Sequence, residues 1–138
     1  MSYKYLEHST DAFIEVKAKT LEEAFSVAGK SVVETIIDLK NIQEIEEKSI
    51  KVKGRNLLNL LYNWLEEIVT ITITDGFAIK KFSVNIKKNA EYEIVSKVSG
   101  EKLDLKKHGF KVEIKSPTFH LMEIEENDEI TMRYLLDL

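Results

Sequence analysis

The chain of 138 residues has no cysteine, one proline, five glycines and one tryptophan. Without cysteine there is no disulfide framework, no thiolate metal site and no cysteine nucleophile. Gly29, Gly54, Gly76, Gly100 and Gly109 lie far apart, so no glycine-rich phosphate loop can form. Arginine occurs only at Arg55 and Arg133. Bidentate forks for phosphates or base edges are therefore scarce. No apolar run approaches the roughly 20 residues that span a bilayer. The stretch Met1-Ser2-Tyr3-Lys4-Tyr5 lacks the apolar segment of a signal peptide, and a cytoplasmic location is expected. Repeats, low-complexity tracts and Pro/Gly/Ser-rich linkers are missing too. A single domain over residues 1–138 is expected, a common domain size.

What is present is a chain with 43% hydrophobic and 32% charged residues. That excludes a disordered chain. Asp and Glu total 24 against 20 Lys and Arg, for a net charge of −4. A dedicated nucleic-acid binder needs a phosphate-neutralising basic surface, and aromatic–basic interleaving is missing as well. Lys and Glu abound while Gln43 is the only glutamine, a mix that leans towards thermophile compositions.

Hydrophobic periodicity predicts the elements. Tyr3 to Tyr5 can open a first strand, and Ala12 to Lys17 alternates as a second. Thr20-Leu21-Glu22-Glu23 fits a capping box. Behind it Leu21, Ala24, Phe25, Ala28, Val32, Ile36 and Leu39 recur at helical spacing to about Asp38. Ser49 to Lys53 reads as a strand ended by Gly54. Leu57, Leu61, Trp64, Leu65 and Ile68, widened by Leu58 and Leu60, form a second helical stripe to about Ile71. Asp75-Gly76 supplies a turn. Then strands follow: Phe82 to Ile86, Tyr92 to Val98, Phe110 to Ile114, Phe119 onward and Ile130 to Leu138. Gly100 to His108 reads as a polar loop. Pro117 implies an edge or bulge, and a phase change between Leu121 and Met122 implies a second irregularity. On the last strand Arg133 and Asp137 share the face opposite Tyr134. The whole indicates an α+β fold, with two amphipathic helices packed on a largely antiparallel β-sheet.

Four places could carry chemistry. His8 and Asp11 could be an acid–base pair or metal ligands; the simpler reading is a capped turn. Asp137, main-chain oxygens and a terminal carboxylate are hard donors that, with Asp11, could hold Ca²⁺ or Mg²⁺; the simpler reading is a frayed, solvated end. In Lys115-Ser116-Pro117-Thr118-Phe119-His120, Lys115 could contact phosphate or pair with a carboxylate, and His120, alternating with Phe119, could face away from the core; the simpler reading is an ordinary strand with a solvated lysine. Glu101, Asp104 and His108 could ligate a metal, though a surface loop explains them as well. No Ser-His-Asp or zinc-ligand spacing exists.

In their order along nearly the whole chain these segments resemble the archease family. His8-x-x-Asp11 is similar to its His-Thr-Ala-Asp signature. Thr20-Leu21-Glu22-Glu23-Ala24-Phe25 resembles the start of its first helix. Gly54 with Leu57, Leu58, Leu61, Trp64 and Leu65 resembles its second. Gly100-Glu101, Asp104 and His108 resemble its Gly-Glu-x-x-Asp-x-x-x-His segment, and Lys115 with Thr118-Phe119-His120 its Lys-Ala-x-Thr-Tyr-His strand. Leu136-Asp137-Leu138 resembles its Leu-Asp-Ile ending. Ser9-Thr10 and Ala12-Phe13 depart from the usual Thr-Ala and Val-Gly. The resemblance implies no catalysis by this chain alone. It implies a protein cofactor of the RtcB-type RNA-splicing ligase that joins tRNA exon halves, promoting guanylylation of the ligase and multiple turnover. It also implies a divalent-cation site, usually calcium, with Asp11 and Asp137 as carboxylate ligands and Leu138 as a main-chain ligand. Lys115 matches a position linked to activation. Competing readings are a metal-dependent hydrolase, an RNA-binding module and a general chaperone.

Overall fold

In a computed structural model, residues 2–6 and 11–138 are described. Strands β1 (Ser2–Leu6) and β2 (Asp11–Ala18) precede helix α1 (Leu21–Ile36). Strand β3 (Glu46–Gly54), helix α2 (Leu57–Val69) and strands β4 (Phe77–Lys88) and β5 (Tyr92–Lys102) follow. Short α3 (Leu105–His108) leads to β6 (Ser116–Glu126) and β7 (Ile130–Asp137). One antiparallel sheet has the order β1-β2-β7-β6 and the other β3-β5-β4. The expected α+β class is observed, with the strands split between two sheets. No helix is long and apolar enough to cross a membrane.

Both helices lie where the sheets meet. Helix α1 packs on β2 of one sheet and β4 of the other, and α2 on β3 and β6. That explains why α1 buries most of its circumference, with Gly29 meeting the Phe82 ring of β4. Thr20 caps α1 by accepting the Glu23 N–H at 3.1 Å, one of the two bonds of the expected capping box. Trp64 is fully buried and donates its indole N–H to the Phe25 carbonyl at 2.8 Å, tying α2 to α1. In β2 and β7 the alternation resolves into faces. Ala12, Ile14, Val16 and Ala18 lie opposite Leu136, Tyr134, Met132 and Ile130, and all are buried. Each Ile, Val, Leu and Met side chain among them contributes about 1.5–3 kcal/mol of transfer free energy.

Several expectations change. Helix α1 stops at Ile36 rather than near Asp38. Past Val69 the chain stays helical as a π turn over Thr70–Thr74, closed by the Asp75 N–H on the Thr70 carbonyl before Gly76 adopts φ 64°. Leu58 is 40% exposed, outside the buried stripe of α2. Gly100 to His108 is no loop: Gly100, Glu101 and Lys102 end β5, and α3 closes the segment. Phe110 to Ile114 is no strand. The Phe110 and Lys111 N–H groups donate to the Leu105 and Ile36 carbonyls, so this extended stretch braces helix ends instead of joining a ladder.

Pro117 lies on edge strand β6, where a missing N–H is tolerated. The second irregularity is also there. Thr118 pairs with Leu135 and Glu123 with Arg133, so Phe119–Met122 stand opposite Tyr134 alone. Within that bulge Leu121 has φ 61°, the only non-glycine positive φ among the described residues. For leucine this costs about 1–2 kcal/mol.

Gly100 is fixed by close approach: a Cβ there would lie 1.8 Å from the Ala78 carbonyl oxygen, across from β4. Gly100→Ala is therefore expected to destabilise the fold by about 2–3 kcal/mol or more, because backbone cannot yield as a side chain can. Denaturant unfolding measures this; an unchanged midpoint would show that β4 and β5 separate freely.

Candidate functional site

The site lies at one end of the four-stranded sheet. Asp11 is the first residue of β2, Asp137 the last of β7 and Ser116 the first of β6. Asp11 pairs with Asp137, and Asp137 with Ser116. Residues directly opposite in an antiparallel pair share a face, with Cβ atoms about 4.5–5.5 Å apart. Two residues from the chain's two ends are thus brought together by strand register. The Lys115 N–H donates to the Asp137 carbonyl at 2.8 Å and locks the approach to β6 onto the end of β7.

Asp11 and Asp137 line an open cleft of about 560 Å³ with Ser116, Thr118 and His120 on one side. Tyr62 and Phe119 form its aromatic side. Their rings stack at 4.4 Å between centroids and 10° between planes, joining α2 to the bulge of β6. Two carboxylates, two hydroxyls and nearby main-chain oxygens are hard donors suited to Ca²⁺ or Mg²⁺, with His120 the one nitrogen-bearing side chain in the lining. Among the described residues no group of three or more His, Asp or Glu is placed to hold a metal ion. Any cation here would therefore draw on main-chain oxygen or water besides the two Asp side chains.

The other expected residues separate into groups. Lys115 is exposed and enters the site through its backbone. The Leu138 side chain packs on the core directly after Asp137. His120 lines the cleft and is exposed, but not by alternation: Phe119 and Leu121 on either side are exposed as well, because all three lie in the bulge. His8 lies outside the described residues. Sequence reasoning did not reach Tyr62, Ser116 or Phe119 as site residues. Tyr62 read only as part of a helix, and its stack on a distant strand has no local signature.

Glu101, Asp104 and His108 form a separate, self-contained brace. His108 is fully buried. Its Nδ1 accepts the Asp104 N–H at 3.0 Å, so Nε2 carries the proton and donates to Glu101 at 3.0 Å. Glu101 also accepts from the Lys107 ammonium at 2.8 Å and the Gln43 N–H at 2.7 Å. These bonds, Lys107 foremost and then His108, hold its carboxyl down to about 2. Asp104 caps α3 through the Lys106 and Lys107 N–H groups. Both Glu101 oxygens are thus engaged within the protein, and the metal reading of this segment gives way to a structural one.

A second charged row crosses the outer face of the first sheet. Arg133 donates to Glu15 at 2.8 Å and to Glu123 at 2.9 Å, and Lys4 lies 3.5 Å from Glu15. Glu15 is only 5% exposed, and the Arg133 hydrogen bond holds its carboxyl below the usual value. Arg133 shares the face of Asp137, as expected, but is engaged elsewhere on it.

The whole chain is similar to known proteins. The model of the Archease protein family matches residues 3–138. Protein archease of Pyrococcus abyssi is 35% identical over 125 residues, 90% of this chain and 88% of the relative. That of Methanosarcina barkeri is 37% identical over 124 residues, 88% and 85% of the two chains. The solution structure of Methanobacterium thermoautotrophicum Protein 1598 superposes with a TM-score of 0.84 at 30% identity, covering 99% of each chain. A Thermotoga maritima crystal structure, described as an archease and possible chaperone, shares the fold with a TM-score of 0.63 at 21% identity, over 98% of this chain and 96% of that one. The chain belongs to the archease family.

The Glu101 brace makes a pH prediction. Its carboxyl titrates near 4.5 when unperturbed and near 2 when folded. The stabilisation is therefore complete above 4.5 and is lost as pH falls from there towards 2. Thermal melts across that range should show a falling midpoint, and Glu101→Gln should be less stable at pH 7 with a flatter acid profile. A variant with the wild-type slope would remove Glu101 from the acid response.

Proposed function

We propose that this archease is a protein cofactor of an RtcB-type tRNA-splicing RNA ligase, promoting guanylylation of the ligase and multiple turnover rather than catalysing a reaction itself. The observation that carries the reading is the register pairing of Asp11 with Asp137 at an open sheet end. The two carboxylates, with Leu138 main-chain oxygen, form a site for a divalent cation, and calcium suits donors that are all oxygen. When bound, such an ion would supply a fixed positive charge at the tip. The protein's own part is placement. Strand register holds Asp11 and Asp137 side by side, and the Lys115 N–H holds the strand end. The exposed Lys115 side chain extends a further charge from the same strand entry. Nucleotidyl transfer gains most from positioning and charge stabilisation, which an accessory domain can supply from outside. A partner that holds RNA also reconciles an RNA-processing role with a net charge of −4.

A metal-dependent hydrolase reading, using Asp11, Asp137 and a histidine, predicts turnover without ligase. A chaperone reading rests on the description of the Thermotoga maritima relative. It predicts activity towards unrelated unfolded clients.

The test is Asp137→Ala with a cognate ligase at limiting GTP. Asp137 is exposed at a strand end, so the fold should persist. Multiple-turnover ligation and ligase guanylylation should fall by about ten-fold or more, and calorimetric calcium binding should be lost. Lys115→Ala should lower stimulation while leaving calcium binding intact. Full stimulation by folded Asp137→Ala would overturn the reading.

A further inference from the structure

We infer that the open face of the three-stranded sheet, together with the pocket beside its edge strand β4, binds the phosphate backbone of RNA. The phosphate chemistry is argued from this face alone; that the phosphates belong to RNA rests on the functional reading above. In the sheet β3-β5-β4 one side is buried through Ile50, Val52, Ile94 and Val98. The residues between them point outward. By register Lys51 and Lys53 of β3, Lys97 of β5, and Lys81 and Lys87 of β4 share that outer face, and all five are exposed. Alternate residues on a strand stand about 7 Å apart and neighbouring strands about 4.8 Å, so the lysines form a grid rather than a point charge. Two acids share the face. Glu47 lies 3.9 Å from Lys97 with both side chains well exposed, an ion pair of little strength. Glu93 stands between Lys53 and Lys87. Five lysines against two glutamates leave a positive face on a chain whose net charge is −4. Asp11, Asp137 and Lys115 lie at the end of the other sheet and do not enter this balance.

An irregularity in β4 adds depth. Ile79 pairs with Gly100 and Lys81 with Ser99, so Lys80 is an extra residue with no partner on β5. Strict alternation would send Lys80 and Lys81 to opposite sides of the sheet. The bulge re-aims them, and both line one pocket of about 430 Å³ with Lys30 of α1, Ser2 and Ser26. No carboxylate is in that lining, and the Tyr3 hydroxyl beside it donates to Glu34. Lys80 uses one N–H donor on the Leu39 carbonyl at 2.9 Å. That bond fixes the ammonium and leaves its other donors for a ligand.

What the face lacks selects among anions. Protein docking draws on buried aromatic and Arg anchors, and binding to a lipid surface on apolar side chains that enter it. Val95 is the one apolar residue at the outward positions, and none of them is aromatic or arginine. Ammonium groups with hydroxyls between them remain: Ser49 and Ser83 stand on either side of Lys97. Lysine and serine side chains contact phosphate and sugar oxygens, and such contacts carry no sequence information. The contact is therefore salt-dependent and indifferent to sequence.

The experiment titrates the full chain, without ligase, into a fluorescent single-stranded oligouridylate at several salt concentrations. Wild type is compared with Lys81→Ala/Lys97→Ala and with Lys102→Ala/Lys106→Ala, which removes two lysines outside this face. All four positions are exposed, so thermal melting should show intact folds. Wild type should bind with a Kd of about 1–100 µM near physiological salt. Lys81→Ala/Lys97→Ala should raise Kd by about ten-fold and flatten the salt dependence by about 0.7 in log–log slope per lost phosphate contact. Lys102→Ala/Lys106→Ala should bind within about two-fold of wild type. No wild-type binding at low salt, a Lys81→Ala/Lys97→Ala chain that binds like wild type, or equal weakening by both variants overturns the inference. Each leaves the cofactor reading in place, because stimulation of the ligase needs no RNA contact by this chain. Displacement of the RNA by inorganic phosphate at a matching phosphate concentration assigns the pocket to a free anion, and tighter binding to phosphatidylserine vesicles assigns the face to lipid; either result also overturns it.

Discussion

The antiparallel pairing of β2 with β7 fixes almost everything else in the molecule. It joins one of the earliest strands to the last one, with Ile14 opposite Tyr134 at its centre, both fully buried. Because side chains alternate across a strand, a slip of one residue would turn the core residues of the slipped strand, Ile14 and Val16 or Met132 and Tyr134, to the outer face. The register is therefore held by the core. Tyr134 reinforces it by reaching Ser31 of α1 with its hydroxyl, a contact that also locates the helix layer. Burial pushes the Tyr134 hydroxyl above its ordinary range, so it stays neutral in that contact. The row Lys4–Glu15–Arg133–Glu123 clamps the same register from the outer side.

The site follows from that register without further specification. Asp11 and Asp137 are neighbours because Ile14 and Tyr134 are, three residues further in. Two carboxylates so placed repel each other. A single core interaction thus sets both the stability of the sheet and the spacing of the candidate cation ligands. The aromatic side of the cleft has a different origin. It depends on the bulge of β6 reaching across to Tyr62, so α2 shapes the cleft although it contributes no acid.

Much of this was legible in the sequence, for identifiable reasons. The Thr20 cap, the stripes of both helices apart from Leu39 and Leu58, and the face shared by Arg133 and Asp137 are local patterns, and each was observed. The phase change near Met122 announced the bulge, although not that it would carry an outward Leu121. The errors came where backbone groups find partners far along the chain. Phe110 to Ile114 alternates like a strand, but its N–H groups serve the ends of α1 and α3. Gly100 looked like a loop start and is instead a strand residue pressed against Ala78. The pairing of Asp11 with Asp137 is not a local property either. It became visible only through the family resemblance, and the sheet supplies its physical cause.

The acids themselves distinguish scaffold from site. Glu15 meets Arg133 and Lys4; Glu101 meets Lys107, His108 and a backbone N–H. Both carboxyls are held below their usual range by those partners. Those partners also leave such groups little capacity for anything outside the molecule. No described ion pair involves Asp137, which sits exposed at a strand end where neither packing nor pairing requires an acid. A residue whose local rules would favour another choice, held by an over-determined register next to a strained bulge, marks where a fold serves something beyond its own stability. By that criterion the end of the β2–β7–β6 sheet, and not the bonded cluster around buried His108, is the candidate site of this archease.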